Sequence, residues 1–341
     1  MIIIFTYTDR GRTLAKTLRE GLLRGGYVKE EILLFHKAKD DGGQNMQHMQ
    51  TYMKQGNVLL FIGAAGIAVR MIAPYLTDKA RDPAVLVMDD TAKHVVSLLS
   101  GHLGGANEWA HAIAGITGAV AVITTATDCN GVWAVDNFAV KNRLRIADIA
   151  KIKHVSAKLL HGEKVSVWAE TVLERMQEKL LQDAGGLCYP AEEIQKADII
   201  LTNTIEEWMK KQACLVMVPM DIIIGIGCKQ GKTAQELYGF IQEVCKREKI
   251  DMYRIRSIHS IEQKKQEKGI LQVADILGVP FMTYTSEELA RVEGEFSHST
   301  FVENAVGVDN VCERSAAAEG ARLWIKKQVR DGMTLAFAKE G

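Results

Sequence analysis

Short apolar runs alternate with longer helical patterns along almost the whole chain, and this alternation constrains the fold more than any single motif. "IIIFTY" (2–7), "EILLFH" (31–36) and "NVLLFIG" (57–63) are strand-length and rich in β-branched and aromatic residues, so they read as buried strands. Helical patterns follow from Arg12 to Leu23 and in "AAGIAVRMIAPYL". "AVLVMDD" (84–90) and "HVVSLLS" (94–100) form a pair of strands, read as a hairpin around Asp90 to Lys93, and a helix after "GHLGG" leads to the strand "AVAVITT" (119–125). Strand–helix–strand order predicts a multi-domain α/β fold: layered units with mainly parallel sheets and right-handed crossovers.

Past Asp128 the pattern weakens into a charged region of helices and short strands, and a new unit opens at "MDIIIGIGCKQGKTAQEL". The expected domains are therefore 1–132, a smaller central α/β unit at 133–219, and 220–341. In the last, "MYRIRSIHS" and "PFMTYT" read as strands. Helices are expected from Ile261 to Leu277 and, closing the chain, from Cys312 to Lys327.

With 341 residues, 47% of them hydrophobic, the chain can bury proper cores. Lys+Arg and Asp+Glu both count 42, which argues against a nucleic-acid or membrane-surface partner while leaving room for a local basic pocket. The six scattered cysteines never form a C-x-x-C pair, so no zinc site or redox dithiol is expected, and the pattern suits a reducing compartment. "MIIIFTYTDRGR" reads as a first strand, not a signal peptide. No stretch approaches the roughly 20 apolar residues of a membrane span. The expectation is a soluble cytoplasmic protein.

Several turns are candidates for ligand binding. "IIIGIGCKQGKT" imitates phosphate-binding loops but fails both fingerprints: Ile226 occupies the first Walker glycine position, and Gln230 the third glycine position of G-x-G-x-x-G. Gly225 and Gly227 can still bring backbone close to a carboxylate-bearing ligand. In "FIGAAGIAVR", Gly63 and Gly66 offer a similar turn, and Arg70 is either a carboxylate ligand or a solvated helix residue.

"SLLSGHLGGANEWAHAI" (97–113) places Ser100, Gly101, His102, Gly104 and Gly105 between a strand and a helix. At 100° per residue, Ala106, Trp109, Ala110, Ile113 and Ile116 share the core face, with Asn107, Glu108 and His111 turned away. His102 lies at the C-terminal end of a strand, where open parallel sheets bind ligands. Glu108 and His111 are half a metal site without a second half, so no protein-bound metal is expected. Thr124, Thr125 and Asp128 in "VITTATDCNG" either bind a polar ligand or form an Asx-type turn. The polar loop "VEGEFSHSTFVENAVGVDNVCERSAA" (292–317) adds Glu293 and Ser299.

Taken together, "FIGAAGIAVRMIAPYLTDKARDPAVLVMDD", "VVSLLSGHLGGANEWA", "VITTATDCNGVWAVD", "GIGCKQGKTAQEL" and "VEGEFSHSTFVENAVGVDNVCERSA" resemble the CbiG family, the cobalt-precorrin-5A hydrolases of anaerobic cobalamin biosynthesis. The resemblance spans all three expected units and is weakest from 133 to 215. It implies opening of a δ-lactone on a cobalt-containing polycarboxylate macrocycle, then loss of acetaldehyde to give cobalt-precorrin-5B. Cobalt would arrive within the substrate, so no separate cofactor is implied. On that reading His102 is the candidate general base, Gly104 and Gly105 N–H groups would hold an oxyanion, and Asp128 or Glu108 would serve a second proton transfer. Glycine turns and Arg70 would hold substrate carboxylates. Other enzymes of the pathway and a second copy of the chain are the expected protein partners. A non-catalytic corrinoid hand-over protein is the competing reading.

Overall fold

The computed structural model describes residues 1–36, 49–78, 81–298 and 307–340. It divides into two compact units, one of Met1–Val140, Ile149–Val165 and Asp183–Cys188, the other of Lys141–Asp148, Ser166–Gln182 and Tyr189–Gly341. Among the described residues no helix is long and apolar enough to cross a membrane.

The first unit is built on β1 (Ile2–Thr6), β2 (Ile32–His36), β3 (Val58–Ile62), β4 (Ala84–Met88), β5 (His94–Leu99) and β6 (Val120–Val122), in the order β2-β1-β3-β4-β5-β6. Every residue of β1, β3 and β4 is buried, because helices cover both faces. Ile2 and Ile4 join Leu18 and Leu22 of α1 (Asp9–Arg24) on one face, while Ile3 and Phe5 join Ala68 and Ile72 of α2 (Ala65–Ile72) on the other. The first face is completed by Ala106, Ala110 and Ile113 of α3 (Ala106–Thr117), as the helical phase predicts. Each fully buried Ile, Leu or Phe side chain among them contributes about 1.5–3 kcal/mol.

The expected hairpin is present, and its strand direction separates two of the candidate turns. β1 to β4 run parallel, but β5 pairs antiparallel to β4, with Val85 opposite Leu99 and Met88 opposite Val95, and β6 runs parallel to β5. The C-terminal ends of β5 and β6 therefore lie at the edge where β1, β3 and β4 begin. His102 does follow a strand's C-terminal end, but not at the same edge as Gly63, Gly66 and Arg70. Five residues at about 3.3 Å each separate the two edges by roughly 16 Å. β6 is also shorter than expected: Ile123 to Thr125 leave the sheet and lead into the one-turn helix α4 (Ala126–Cys129).

A central sheet has the order β7-β11-β10-β8-β9 and spans β7 (Leu144–Ile146), β8 (Val165–Ala169), β9 (Cys188–Pro190), β10 (Ile199–Leu201) and β11 (Leu215–Pro219). β7 pairs antiparallel to β11, whereas β8, β10 and β11 run parallel.

The C-terminal sheet has the order β14-β13-β12-β16-β15, with β12 (Ile222–Cys228), β13 (Ile255–Ile261), β14 (Phe281–Tyr284), β15 (Arg322–Arg330) and β16 (Met333–Lys339). The helix expected from Ile261 begins only at Lys268, because Ile261 ends β13 and a 3-10 turn intervenes. The expected closing helix ends at Ala317, and Arg322–Arg330 is instead an edge strand hairpinned to β16. Gly320, left-handed at φ +79°, breaks the helical run, and an edge strand's half-exposed side chains carry only a weak apolar alternation.

Candidate active site

The turn after β5 is built on unusual backbone. Ser100 has φ +57°, a left-handed conformation for a non-glycine residue, and Gly105 has φ +80°. Three backbone bonds close it: Gly105 N–H to the His102 carbonyl at 2.9 Å, Ala106 N–H to that of Ser100 at 3.1 Å, and Asn107 N–H to that of Gly101 at 3.0 Å. A Cβ on Gly104 would stand 2.4 Å from the Ser100 Cβ, so the tight fold-back excludes any side chain there. Because the Gly105 N–H is engaged by His102, it does not serve as the oxyanion donor expected from the sequence. Ser100 Oγ is buried without a hydrogen-bond partner among the described residues.

His102 emerges from this turn between two carboxylates. Its Nε2 is 2.6 Å from Asp128 Oδ2, and its Nδ1 is 3.0 Å from Asp136 Oδ2. Asp128 is carried on α4, and Asp136 on the first turn of α5 (Val135–Lys141). The imidazole is 8% exposed, Asp136 13% and Asp128 32%, so Asp128 is the member nearest solvent. Burial of the ring opposes its charge, but the Asp136 and Asp128 carboxylates outweigh it and raise the His102 pKa above 6.5. Burial works the other way on Asp128, where bonds from Thr125 and His102 prevail and hold its carboxyl below 3.8. The ring can carry one positive charge between two carboxyl groups, so acidic groups outnumber the basic one here.

Asn107 departs from the helical-phase reading. Expected to face outward, it is 6% exposed and donates from Nδ2 to Thr125 Oγ1 and to Asp128 Oδ2, both at 3.0 Å. In a helix's first turn the incoming loop covers sides that phase alone leaves open. Gly101 makes the room, since a Cβ there would lie 2.7 Å from Asn107 Oδ1. The turn thus gathers Ser100, Gly101, His102, Gly104, Gly105, Asn107, Thr125 and Asp128 in one place.

The other sequence candidates lie elsewhere. Thr124 is exposed beside this cluster, and Glu108 is exposed on α3, away from the two carboxylates that hold His102. Gly63, Gly66 and Arg70 belong to the opposite sheet edge, where Arg70 Nη1 folds back onto the Gly66 carbonyl at 3.1 Å. Gly225 and Gly227 lie inside β12 and not in a turn, and a Cβ on Gly225 would stand 1.7 Å from the Cys312 carbonyl of the helix Val311–Ala317. Close helix packing therefore accounts for Gly225. The donors of the adjacent loop are bound internally: Gly231 N–H to Glu267, Lys232 to Glu236, and the Thr233–Glu236 capping box. Glu293 is exposed, and Ser299 lies outside the described residues. Within the same motif the fully buried Glu313 accepts from the Ser297 N–H, the Ser297 hydroxyl and the Lys327 N–H, an anchoring role unseen in the sequence.

Asp136 is the site residue that sequence reasoning missed. Its signal was the "VWAVD" segment, set eight positions after Asp128 across a glycine, but nothing in that spacing says which way a one-turn helix returns the chain.

Three family models match in sequence order: Cobalamin synthesis G N-terminal at residues 47–128, Cobalamin biosynthesis central region at 133–219, and Cobalamin synthesis G C-terminus at 222–338. A cobalt-precorrin-5A hydrolase of Salmonella typhimurium is 34% identical over 336 residues, covering 96% of this chain and 92% of that protein. The chain belongs to the CbiG family. A cobalt-precorrin-5A hydrolase of Priestia megaterium is 32% identical over 307 residues, covering 84% of this chain and 80% of its own length. In CbiG terms, His102 and Asp128 fall within the N-terminal region and Asp136 within the central one. The expected boundary at 132 thus falls between two residues that bond the same imidazole, and the first compact unit runs on to Val140.

Proposed function

We propose that this chain is a cobalt-precorrin-5A hydrolase, opening the lactone of a cobalt-containing corrinoid precursor and releasing acetaldehyde. Family membership and the two relatives bearing that name support the reaction class. The observation that carries the site is His102 with a carboxylate on each ring nitrogen in a glycine-built turn.

Held this way, His102 keeps its proton more tightly than an ordinary imidazole and becomes a base as the pH rises through its raised pKa. In its neutral form Nδ1–H donates to Asp136, while Nε2 has given up the proton that bonds Asp128 and parts from that more exposed carboxylate to meet a reactant. Water attacks the lactone carbonyl carbon and gives its proton to Nε2; the acyl C–O bond breaks, and the leaving oxygen takes that proton back as a hydroxyl. In the second stage the same hydroxyl returns its proton to the base, the adjacent C–C bond breaks, acetaldehyde leaves, and the electron pair passes into the conjugated macrocycle. Asp128, bonded by His102, Asn107 and Thr125, orients the reacting O–H. The site's acidic excess suits the uncharged lactone, so the substrate's carboxylates bind away from it. Six scattered cysteines without a C-x-x-C pair support a reducing, cytoplasmic setting, in which neighbouring pathway enzymes supply the lactone and take the product.

Acetaldehyde release from cobalt-precorrin-5A tests the reading. The wild-type protein is expected to release one equivalent, and His102→Ala to lower kcat roughly 10²–10⁴-fold. Binding without acetaldehyde would make the chain a hand-over protein, and near-normal turnover by the variant would remove His102 from the chemistry.

A further inference from the structure

We infer that Asp136 is a positioning residue for the reaction, holding His102 in the Nδ1–H tautomer so that Nε2 is the atom that exchanges protons with the substrate. The inference rests on the hydrolase reading above and adds to it a residue from the central region of the chain.

The two carboxylates are not equivalent. Asp136 is 13% exposed and meets Nδ1 at 3.0 Å, whereas Asp128 is 32% exposed and meets Nε2 at 2.6 Å. A reactant arriving from solvent reaches the Asp128 side first, leaving Asp136 as the inner, permanent partner. Its helix is fixed independently of the site. Phe138 of α5 is 1% exposed and packs at 5.9 Å between ring centroids against Trp133, whose Nε1 donates to Asp183 Oδ2 at 2.7 Å. Asp136 is therefore delivered to Nδ1 by packing that does not depend on His102.

Asp136 and Asp128 are the charged groups acting on the ring, and each holds a different nitrogen. Removing the negative charge at Nδ1 lowers the ring's proton affinity. An asparagine there can also turn its NH₂ toward Nδ1 and place the proton on Nε2, the wrong tautomer for a base at that atom. The second effect removes rate, and the first moves the pH dependence. A purely structural role for Asp136 would do neither to the molecules that remain folded.

The experiment measures acetaldehyde release against pH for wild type, His102→Ala, Asp136→Asn and Asp136→Glu, alongside NMR titration of the His102 ring in the substrate-free proteins. Wild-type kcat/KM should rise with pH through a limb above 6.5, the ordinary His value. Asp136→Asn should lower kcat roughly 10³–10⁴-fold and move both the limb and the ring titration to lower pH, while Asp136→Glu restores most of each. An active His102→Ala overturns the site reading itself. An inactive His102→Ala, together with an Asp136→Asn protein whose limb and ring titration stay at the wild-type position, overturns this inference alone. If Asp136→Asn does not fold, a folded Asp136→Ser protein takes its place: a ring titration moved to lower pH supports the inference, and one at the wild-type position overturns it.

Discussion

Nε2 of His102 stands 2.6 Å from the Asp128 carboxylate, and with Asp136 on the other nitrogen this pairing ties the state of the site to pH. The folded protein holds a proton on His102 more tightly than the unfolded chain does.

The first prediction follows from that difference. A folded pKa raised above the unfolded value contributes stability that is fully present below about pH 6.5 and lost as pH rises through the folded value. Urea unfolding of wild type and His102→Gln across pH 6 to 9 should show the wild-type advantage largest at the acid end and shrinking upward. An advantage that grows with pH would mean the ring is neutral in the folded state.

Asn107 is the second test. Asn107→Ala removes the Nδ2 donor shared by Thr125 and Asp128 and should cost about 1–3 kcal/mol in urea unfolding. Gly101→Ala should lower acetaldehyde release by displacing the same side chain, since its Cβ would lie 2.7 Å from Asn107 Oδ1. Wild-type turnover in both variants would show that this turn does not position Asp128.

Two glycines of the second unit should respond in opposite senses. Gly225→Ala places a methyl 1.7 Å from the Cys312 carbonyl and should destabilise by about 3 kcal/mol or fail to fold. Gly239, within the helix α6 (Ala234–Arg247), has nothing within 4 Å of an added Cβ, so Gly239→Ala should gain about 0.5–1 kcal/mol. Thermal unfolding of both variants checks the pair. A tolerated Gly225→Ala would return that glycine to the ligand-binding candidates.

Much of the scaffold was legible because burial leaves a periodic trace. Ile2 to Thr6 and Val58 to Ile62 read as strands since both their faces are covered, and α3 showed its core face through Ala106, Ala110 and Ile113. β15 left a weaker trace, being an edge strand with half-exposed side chains, so it merged with the helix before it. At the site, His102, Asp128 and Thr125 were recognisable by residue type and position. Asn107 was misplaced because helix phase does not hold where a loop wraps the first turn.

The sequence by itself determined the α/β layering, the glycine-built turn around His102 and the resemblance to CbiG, because each is written in local pattern or in residue identity. The expected hairpin also carries β5 antiparallel to β4, which parts the His102 turn from Gly63 and Arg70. Tertiary structure alone decided two other things: it brought Asp136 back onto Nδ1, and it assigned Gly225 to helix packing. A returning helix and a close helix–sheet approach both depend on contacts between residues distant along the chain, and local pattern holds no record of them.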